Sequence, residues 1–258
     1  MEITNQIKSI DTIQAGNSMF ELAERLYPLC RSITGNGVRE TLQIIKSYIQ
    51  LDMVEVATGT KVFDWQIPEE WNIRDAWIKD DQGNKIIDFK KLNLHVLNYS
   101  TPVDDIISLG ELKKHTFTLP DQPDLVPYRT SYHNRQWGFC MSHNQLSKLK
   151  DGNYHVMIDS EITKGSLTYG EYFIKGKSDQ EVLISTHICH PSLANDNLSG
   201  IVVATHLAAF LKTFKPHFSY RFLFLPGTIG SITWLSKNEK KLKSIRYGLV
   251  LNLLGDSS

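Results

Sequence analysis

Two histidines, a cysteine and an aspartate crowd into the stretch Ser185 to Gly200, STHICHPSLANDNLSG. Imidazole nitrogen and carboxylate oxygen are ligand types that zinc and similar divalent ions take. An apolar run, Val182-Leu183-Ile184-Ser185, precedes the stretch, and an Ala- and Leu-rich run opens at Gly200. His187 is therefore expected just after a buried strand and Asp196 just before a helix. Both can then point into one crevice at the carboxyl edge of a sheet, where open α/β folds bind their ligands. Spacing alone leaves two readings of His187 and Asp196 open: metal ligands, or a hydrogen-bonded structural pair. Cys189 beside His190 adds a thiolate reading, for which no oxyanion donor or orienting third residue can be named. His190 reads as a partner that orients the ligands, as an extra ligand, or as a loop histidine bonded to backbone.

The elements that must position these residues follow from periodicity. NSMFELAERLY, residues 17–27, and GVRETLQIIKSYIQ, from Gly37, carry apolar residues at helical spacing, with Asn17 or Ser18 as N-cap of the first. From about Met53 the texture changes to short β-branched and aromatic runs broken by turn residues, ending near Pro127. Asp81 to Asn84 is expected to turn a hairpin between AWIKD and KIIDF. WGFCMSHNQLSKLKDG reads as a strand edge and a short helix, and NYHVMIDSEITKGSLTYGEYFIKG as two strands about a Lys164-Gly165 turn. Beyond it EVLIS, YRFLFLP and RYGLVLNLLG read as buried strands alternating with helices at 200–214 and 231–245. That order predicts a sheet covered on both faces and mostly parallel in this half.

Composition narrows the function classes. A chain of 258 residues can bury one large core, or one core and a small inserted module. Lysine plus arginine number 28 and aspartate plus glutamate 28, so no net field draws in nucleic acid or an anionic membrane surface. The first residues lack the apolar core of a secretory signal and no run is long enough to span a bilayer, so a cytoplasmic location is expected. Cys30, Cys140 and Cys189 form no CxxC pair and are expected to be free thiols.

THICHPSLANDNLSG resembles the motif of co-catalytic zinc aminopeptidases, in which a His after a buried strand binds one metal and the Asp of an A-N-D-N-x-S-G segment bridges two. His187 and Asp196 match those positions, with Asn197, Ser199 and Gly200 at the entry into the helix; His190 and Asn197 fall where ligand-orienting partners lie. YPLCRSITGNGVRETL, TGTKVFDWQIPEEWNIRDAWI, LPDQPDLVPY, WGFCMSHNQL and GSLTYGE are similar to an uncharacterised bacterial family of aminopeptidase-like proteins, often encoded with surface-polysaccharide genes. These motifs span the chain from Phe20 onward.

The resemblance implies an α/β, aminopeptidase-like three-layer fold of the zinc exopeptidase, phosphorylase/hydrolase-like type with a β-rich insertion domain. Its boundaries are N-terminal helices at 1–58, the insertion at 59–127, and the α/β core at 128–258. It implies one or two zinc ions and a peptide, aminoacyl or amide small molecule as substrate, with nucleic acid and membranes excluded and a homo-oligomer among the expected assemblies. Zinc aminopeptidases take their proton acceptor and a further ligand from a Glu-Glu pair after the next core strand. Here Gly227 stands at the first of those positions and Thr228 at the second. The next ligand position falls on Asn252, with Asp256 as a displaced substitute. The family extends past Ser258, so the chain is expected to be shorter than its relatives. Cys189 stands where aminopeptidases carry the Asp that orients the metal histidine. Two functions follow as expectations: a zinc-dependent hydrolase impaired by Gly227 and Thr228, or a non-catalytic binding or scaffold protein of surface-polysaccharide biosynthesis.

Lesser candidates have plainer readings. His206 is expected on a helix face, and Trp65, Trp71, Trp77 and Trp137 in the packing of the β-rich module rather than along a sugar-stacking surface. KNEKKLK, residues 237–243, reads as a solvated helix face. Thr34-Gly35-Asn36-Gly37 lacks the preceding strand and lysine of a phosphate loop.

Overall fold

The computed structural model describes residues 11–255. Helices α1, Thr12–Leu26, and α2, Asn36–Lys46, open the chain, followed by β1, Asp52–Ala57, and a small hairpin of β2, Lys61–Val62, and β3, Trp65–Gln66. Next come β4, Glu70–Lys79; β5, Lys85–Asp88; β6, Val103–Ser108; α3, Leu109–Lys114; β7, Thr116–Phe117; β8, Phe139–Cys140; α4, His143–Ser147; and β9, Asn153–Thr163. The chain then runs through β10, Ser166–Ile174; β11, Glu181–His187; α5, Gly200–Leu211; β12, Ser219–Leu225; α6, Ile229–Lys237; and β13, Ile245–Val250.

The central sheet has the order β1-β10-β12-β11-β13, with β12, β11 and β13 parallel and the other neighbours antiparallel. Alternation along β12 shows why it lies in the middle. Phe222 and Phe224 pack with α1, α2 and α5, through Leu22, Leu42, Ile45, Ile201 and Ala208. Leu223 and Leu225 face the opposite way, onto Ile229 and Trp234 of α6 and the Val62 and Ile67 side chains around the small hairpin. Helices on both faces of a largely parallel triple make three layers, and strands buried on both faces need apolar residues at every position.

A second sheet, β5-β4-β9-β6, is antiparallel throughout and has its own core of Ala76, Ile78, Ile87, Phe89, Phe139, Met141 and Val156. The hairpin between β4 and β5 forms as expected: the Asp80 carboxylate accepts from the backbone N–H of Gln82 at 3.0 Å and Asn84 at 2.8 Å, and Gly83 takes a φ of +84°.

The structure departs from the sequence reading in five places. β9 closes the second sheet, so this β-rich unit runs from Glu70 to Thr163 rather than over 59–127. The Pro- and Asp-rich loop near Pro127 is a turn inside the unit, and the hairpin at 61–66 packs on the central sheet instead. The two strands about Lys164-Gly165 both form but do not pair: β9 joins the second sheet and β10 the first. A Cβ at Gly165 would overlap the Glu70 carboxylate, so only glycine lets the chain change sheets there.

Helix α1 begins at Thr12, not at Asn17 or Ser18, because Asp11 caps it, its Oδ1 accepting from Ile13 and Gln14 N–H at 3.0 Å each. β13, expected to be buried, has β11 on one side and no strand on its other among the described residues, which leaves Tyr247, Leu249 and Val250 exposed. No helix among the described residues is long and apolar enough to cross a membrane.

Candidate metal centre

β11 ends on His187, and the irregular turn Ala194–Ser199 carries Asp196 back over the strand end before α5 starts. Asp196 and Asn197 have non-helical angles inside that turn, φ −111° and −142°, and the peptide between them is cis. His187 Nε2 lies 2.8 Å from Asp196 Oδ1 and 3.1 Å from His190 Nδ1. His190 Nδ1 is 3.3 Å from Asp196 Oδ2. Two imidazole nitrogens and a carboxylate thus converge on one point.

That convergence fits a divalent ion. In a tetrahedral zinc site, bonds of about 2.0–2.2 Å place the ligand atoms about 3.3–3.6 Å apart. Here His187 Nε2 lies 2.8 Å from Asp196 Oδ1, His190 Nδ1 3.3 Å from the other carboxylate oxygen, Oδ2, and the two nitrogens 3.1 Å apart, close enough for the three side chains to gather about one ion. Burial first, and then the neighbouring His190, hold the pKa of His187 below the ordinary histidine value against the pull of Asp196. A neutral imidazole presents the lone pair a metal needs. His190 Nδ1 stands beside His187 Nε2 and so is a candidate ligand atom as well as a candidate orienting partner.

Asn197 holds the frame without touching the imidazole rings. Its buried amide nitrogen lies 2.8 Å from Thr186 Oγ1 and 3.1 Å from the His187 carbonyl, and its oxygen accepts from Leu253 N–H at 3.2 Å. It braces β11 against the chain that follows β13. Asp256 lies outside the described residues. Asn252 is exposed.

The loop carrying His190 is fastened from the far end of the sequence. Arg31, 1% exposed, donates from Nε to the His190 carbonyl at 2.8 Å and from Nη1 to the Leu26 carbonyl at 2.6 Å. Burial lowers its pKa to about 10, against the nearby Cys30 and Cys189 thiols, and it has no ion-pair partner among the described residues. Ser192 donates to the Tyr27 carbonyl at 2.7 Å, and the edge of Tyr128 meets the His190 ring at 5.0 Å between centroids. The sequence reading missed Arg31 and Tyr128, although both stand in quoted motifs, YPLCRS and LPDQPDLVPY.

A cleft of about 360 Å³ opens beside His187 and His190, walled by Leu225, Gly227, Thr228, Ser231 and Val250. A Cβ at Gly227 would lie 3.2 Å from Cys189 Sγ and 4.0 Å from the His187 Cβ, so a longer side chain there would grow along the wall beside His187. Thr228 has φ +54° and ψ −74°, and Ile229 N–H donates to the Gly227 carbonyl at 2.7 Å. This is a γ-turn of the rare, strained kind, and it sets Thr228 into the cleft wall.

Other candidates resolve locally. Cys189 is buried, its thiol accepts from Gly227 N–H at 3.1 Å, and burial pushes its pKa up to about 11, which removes the thiolate reading. His206 Nδ1 donates to the Val202 carbonyl and its Nε2 accepts from Ser18. Trp71 is buried and stacks on Tyr99, Trp77 meets His155 and Lys79, and Trp137 stacks on His115, while Trp65 is exposed in the small hairpin. Each ring has a different partner, so no shared sugar-stacking surface forms. Residues 239–244 of the lysine run form a short, open 3-10 turn rather than an α-helical face.

Parallel strands that deliver two histidines and an aspartate to one sheet edge, between helical layers, define an aminopeptidase-type α/β fold. A zinc aminopeptidase from Bacillus subtilis shares it, with a TM-score of 0.61 at 15% identity over 93% of this chain and 69% of its own. So does a peptidase M28 precursor from Shewanella amazonensis, with a TM-score of 0.59 at 12% identity over 89% and 69%.

More particularly, the chain belongs to the family described as a domain of unknown function, DUF4910, whose model matches residues 20–258. A Clostridium acetobutylicum protein, provisionally named a polysaccharide biosynthesis protein with an aminopeptidase-like domain, is 52% identical over 244 residues, 95% of this chain. A crystal structure from the same organism, provisionally called a peptidase, matches with a TM-score of 0.97 at 50% identity over 100% of this chain. The chain spans 56% and 60% of those two relatives' lengths.

Proposed function

We propose that this chain is a zinc-binding, aminopeptidase-like domain that holds the ion through His187, His190 and Asp196 and whose hydrolytic power is impaired at Gly227. The observation that carries this reading is the convergence of the three ligand groups within 3.3 Å of one another at a sheet's carboxyl edge. A divalent ion there would supply Lewis acidity toward a carbonyl oxygen or a water. The chain's own residues would orient an amide or aminoacyl group in the adjoining cleft. A hydrolase also needs a base to accept the water's proton. The wall where a base would hang carries Gly227, which has no side chain, and Thr228, whose hydroxyl is a poor acceptor and a poor ligand. One ion is the count that these three residues support.

The same wall favours a second reading, a binding or scaffold role in surface-polysaccharide biosynthesis, in line with the provisional name of the Clostridium acetobutylicum relative. Hydrolysis of a panel of aminoacyl p-nitroanilides, with and without added zinc, separates the two. A zinc-dependent rate at the level of an intact aminopeptidase would overturn the impairment. No rate in a chain that binds zinc supports it.

A further inference from the structure

The candidate metal residues lie at the edge of the central sheet, yet a ring packed on one of them comes from the β-rich unit. We propose that Tyr128 is a positioning residue for the metal centre: it keeps the His190 ring turned so that Nδ1 faces His187 and Asp196, and through it the β-rich unit sets the affinity for the ion. The inference rests on His190 acting as a ligand, as proposed above.

His190 has little else to orient its ring. The residue lies in a loop, and the last torsion of a histidine side chain is broad and roughly two-fold. A half-turn about that torsion would carry Nδ1 away from His187 Nε2, now 3.1 Å distant, and from Asp196 Oδ2, at 3.3 Å. Ligand histidines are ordinarily fixed by a hydrogen bond from the second ring nitrogen. His190 Nε2 makes none among the described residues. Arg31 and Ser192 anchor the backbone of this loop, through the His190 and Tyr27 carbonyls, and a backbone anchor leaves the ring free to turn. Two rings meet it: His187 itself, at 4.6 Å between centroids and 72°, and Tyr128, at 5.0 Å and 65°. A ring crossed at that angle obstructs the half-turn and adds an edge-to-face attraction.

Tyr128 is in turn held from a distance. Its hydroxyl lies 3.0 Å from that of Tyr132, the Tyr132 ring meets Tyr99 at 5.3 Å and 90°, and Tyr99 stacks on Trp71 at 5.7 Å and 20°. Trp71 belongs to β4, and its indole N–H donates to the Ser100 carbonyl at 2.9 Å. Tyr99 and Trp71 are 4% and 2% exposed, so that end of the series shifts only if the core opens. Contact thus runs from a buried strand of the β-rich unit, ring by ring, to a candidate ligand on the other sheet.

The test is a zinc titration by calorimetry, with the absorption spectrum of the cobalt(II)-loaded whole chain, on the parent, Tyr128→Ala, Tyr128→Leu, Tyr128→Phe and His190→Ala. Tyr128→Ala and Tyr128→Leu are expected to bind zinc about tenfold more weakly, as when the partner that orients a ligand is removed. Their cobalt spectra should move toward that of His190→Ala. Tyr128→Phe keeps the ring and should recover most of the affinity. Ile78→Val, in the core of the β-rich unit and outside this series of rings, controls for general loosening and should bind as the parent does. Parent affinity and a parent cobalt spectrum in both Tyr128→Ala and Tyr128→Leu, or an equal loss in Ile78→Val, would overturn the positioning role alone. No metal in the parent would overturn the zinc reading together with it.

Discussion

The buried guanidinium of Arg31 donates to the backbone carbonyl of His190 across 159 residues of sequence, at 2.8 Å. It ties the candidate metal loop to the C-terminal end of α1 through a second bond, to Leu26. A charged donor bonded to a buried carbonyl contributes about 1.5–3 kcal/mol, and removing it leaves the acceptor unsatisfied. Arg31→Met is expected to lose about 3–5 kcal/mol in urea unfolding, and Arg31→Lys, which keeps the charge without the fork, less than that. A loss under 1 kcal/mol in Arg31→Met would contradict the clamp.

Acid should weaken the fold through Glu70. Burial alone would raise its pKa, but the Arg39 fork, the Ser166 N–H and the Asn72 amide outweigh it and hold the carboxyl at about 2. Because the folded value lies below the unfolded one, the stabilisation is fully present above about pH 4.5 and is lost as pH falls toward 2. A shift of this size corresponds to about 3 kcal/mol. Glu70→Gln should therefore be less stable than the parent by about that amount at pH 7, with the gap closing at pH 2–3. A gap independent of pH would show that Glu70 does not carry this linkage.

Replacing Gly227 tests the cause of impairment. In Gly227→Glu the new Cβ meets only the buried Cys189 thiol closely, at 3.2 Å, which needs that thiol to give by a small shift. The variant is expected to fold, within about 1–2 kcal/mol of the parent, and to gain zinc-dependent hydrolysis of aminoacyl substrates. A folded, zinc-loaded variant with a flat rate would remove the hydrolase reading of this chain.

How far the sequence reaches is clear from particular residues. His187 and Asp196 were legible because a strand end and a helix start are local patterns, and the ligand types sit on them. The Asp80 turn was legible for the same reason. Arg31 was not: nothing local distinguishes an arginine that will be buried against a carbonyl from one in solvent. The change of sheet at Gly165 depends on which strands β9 and β10 find, and that partnership is non-local. β13 reads as buried because its residues are apolar, yet burial needs neighbours on both sides.

That open edge has its own consequence. Tyr247, Leu249 and Val250 expose apolar surface on a strand edge that has no partner among the described residues, a pattern that invites pairing with another chain. Sedimentation velocity across a concentration series should show self-association that Val250→Lys lowers. Identical, concentration-independent profiles for both would argue against the edge as a contact.

The central claim is that His190 completes a three-residue zinc site with His187 and Asp196. The most direct measurement is a zinc titration by calorimetry, with metal analysis, on the parent beside His187→Ala, His190→Ala and Asp196→Ala. The account predicts one zinc ion per chain in the parent and a large loss of affinity in all three variants, His190→Ala included. No zinc in the parent, or undiminished affinity in His190→Ala, would contradict it.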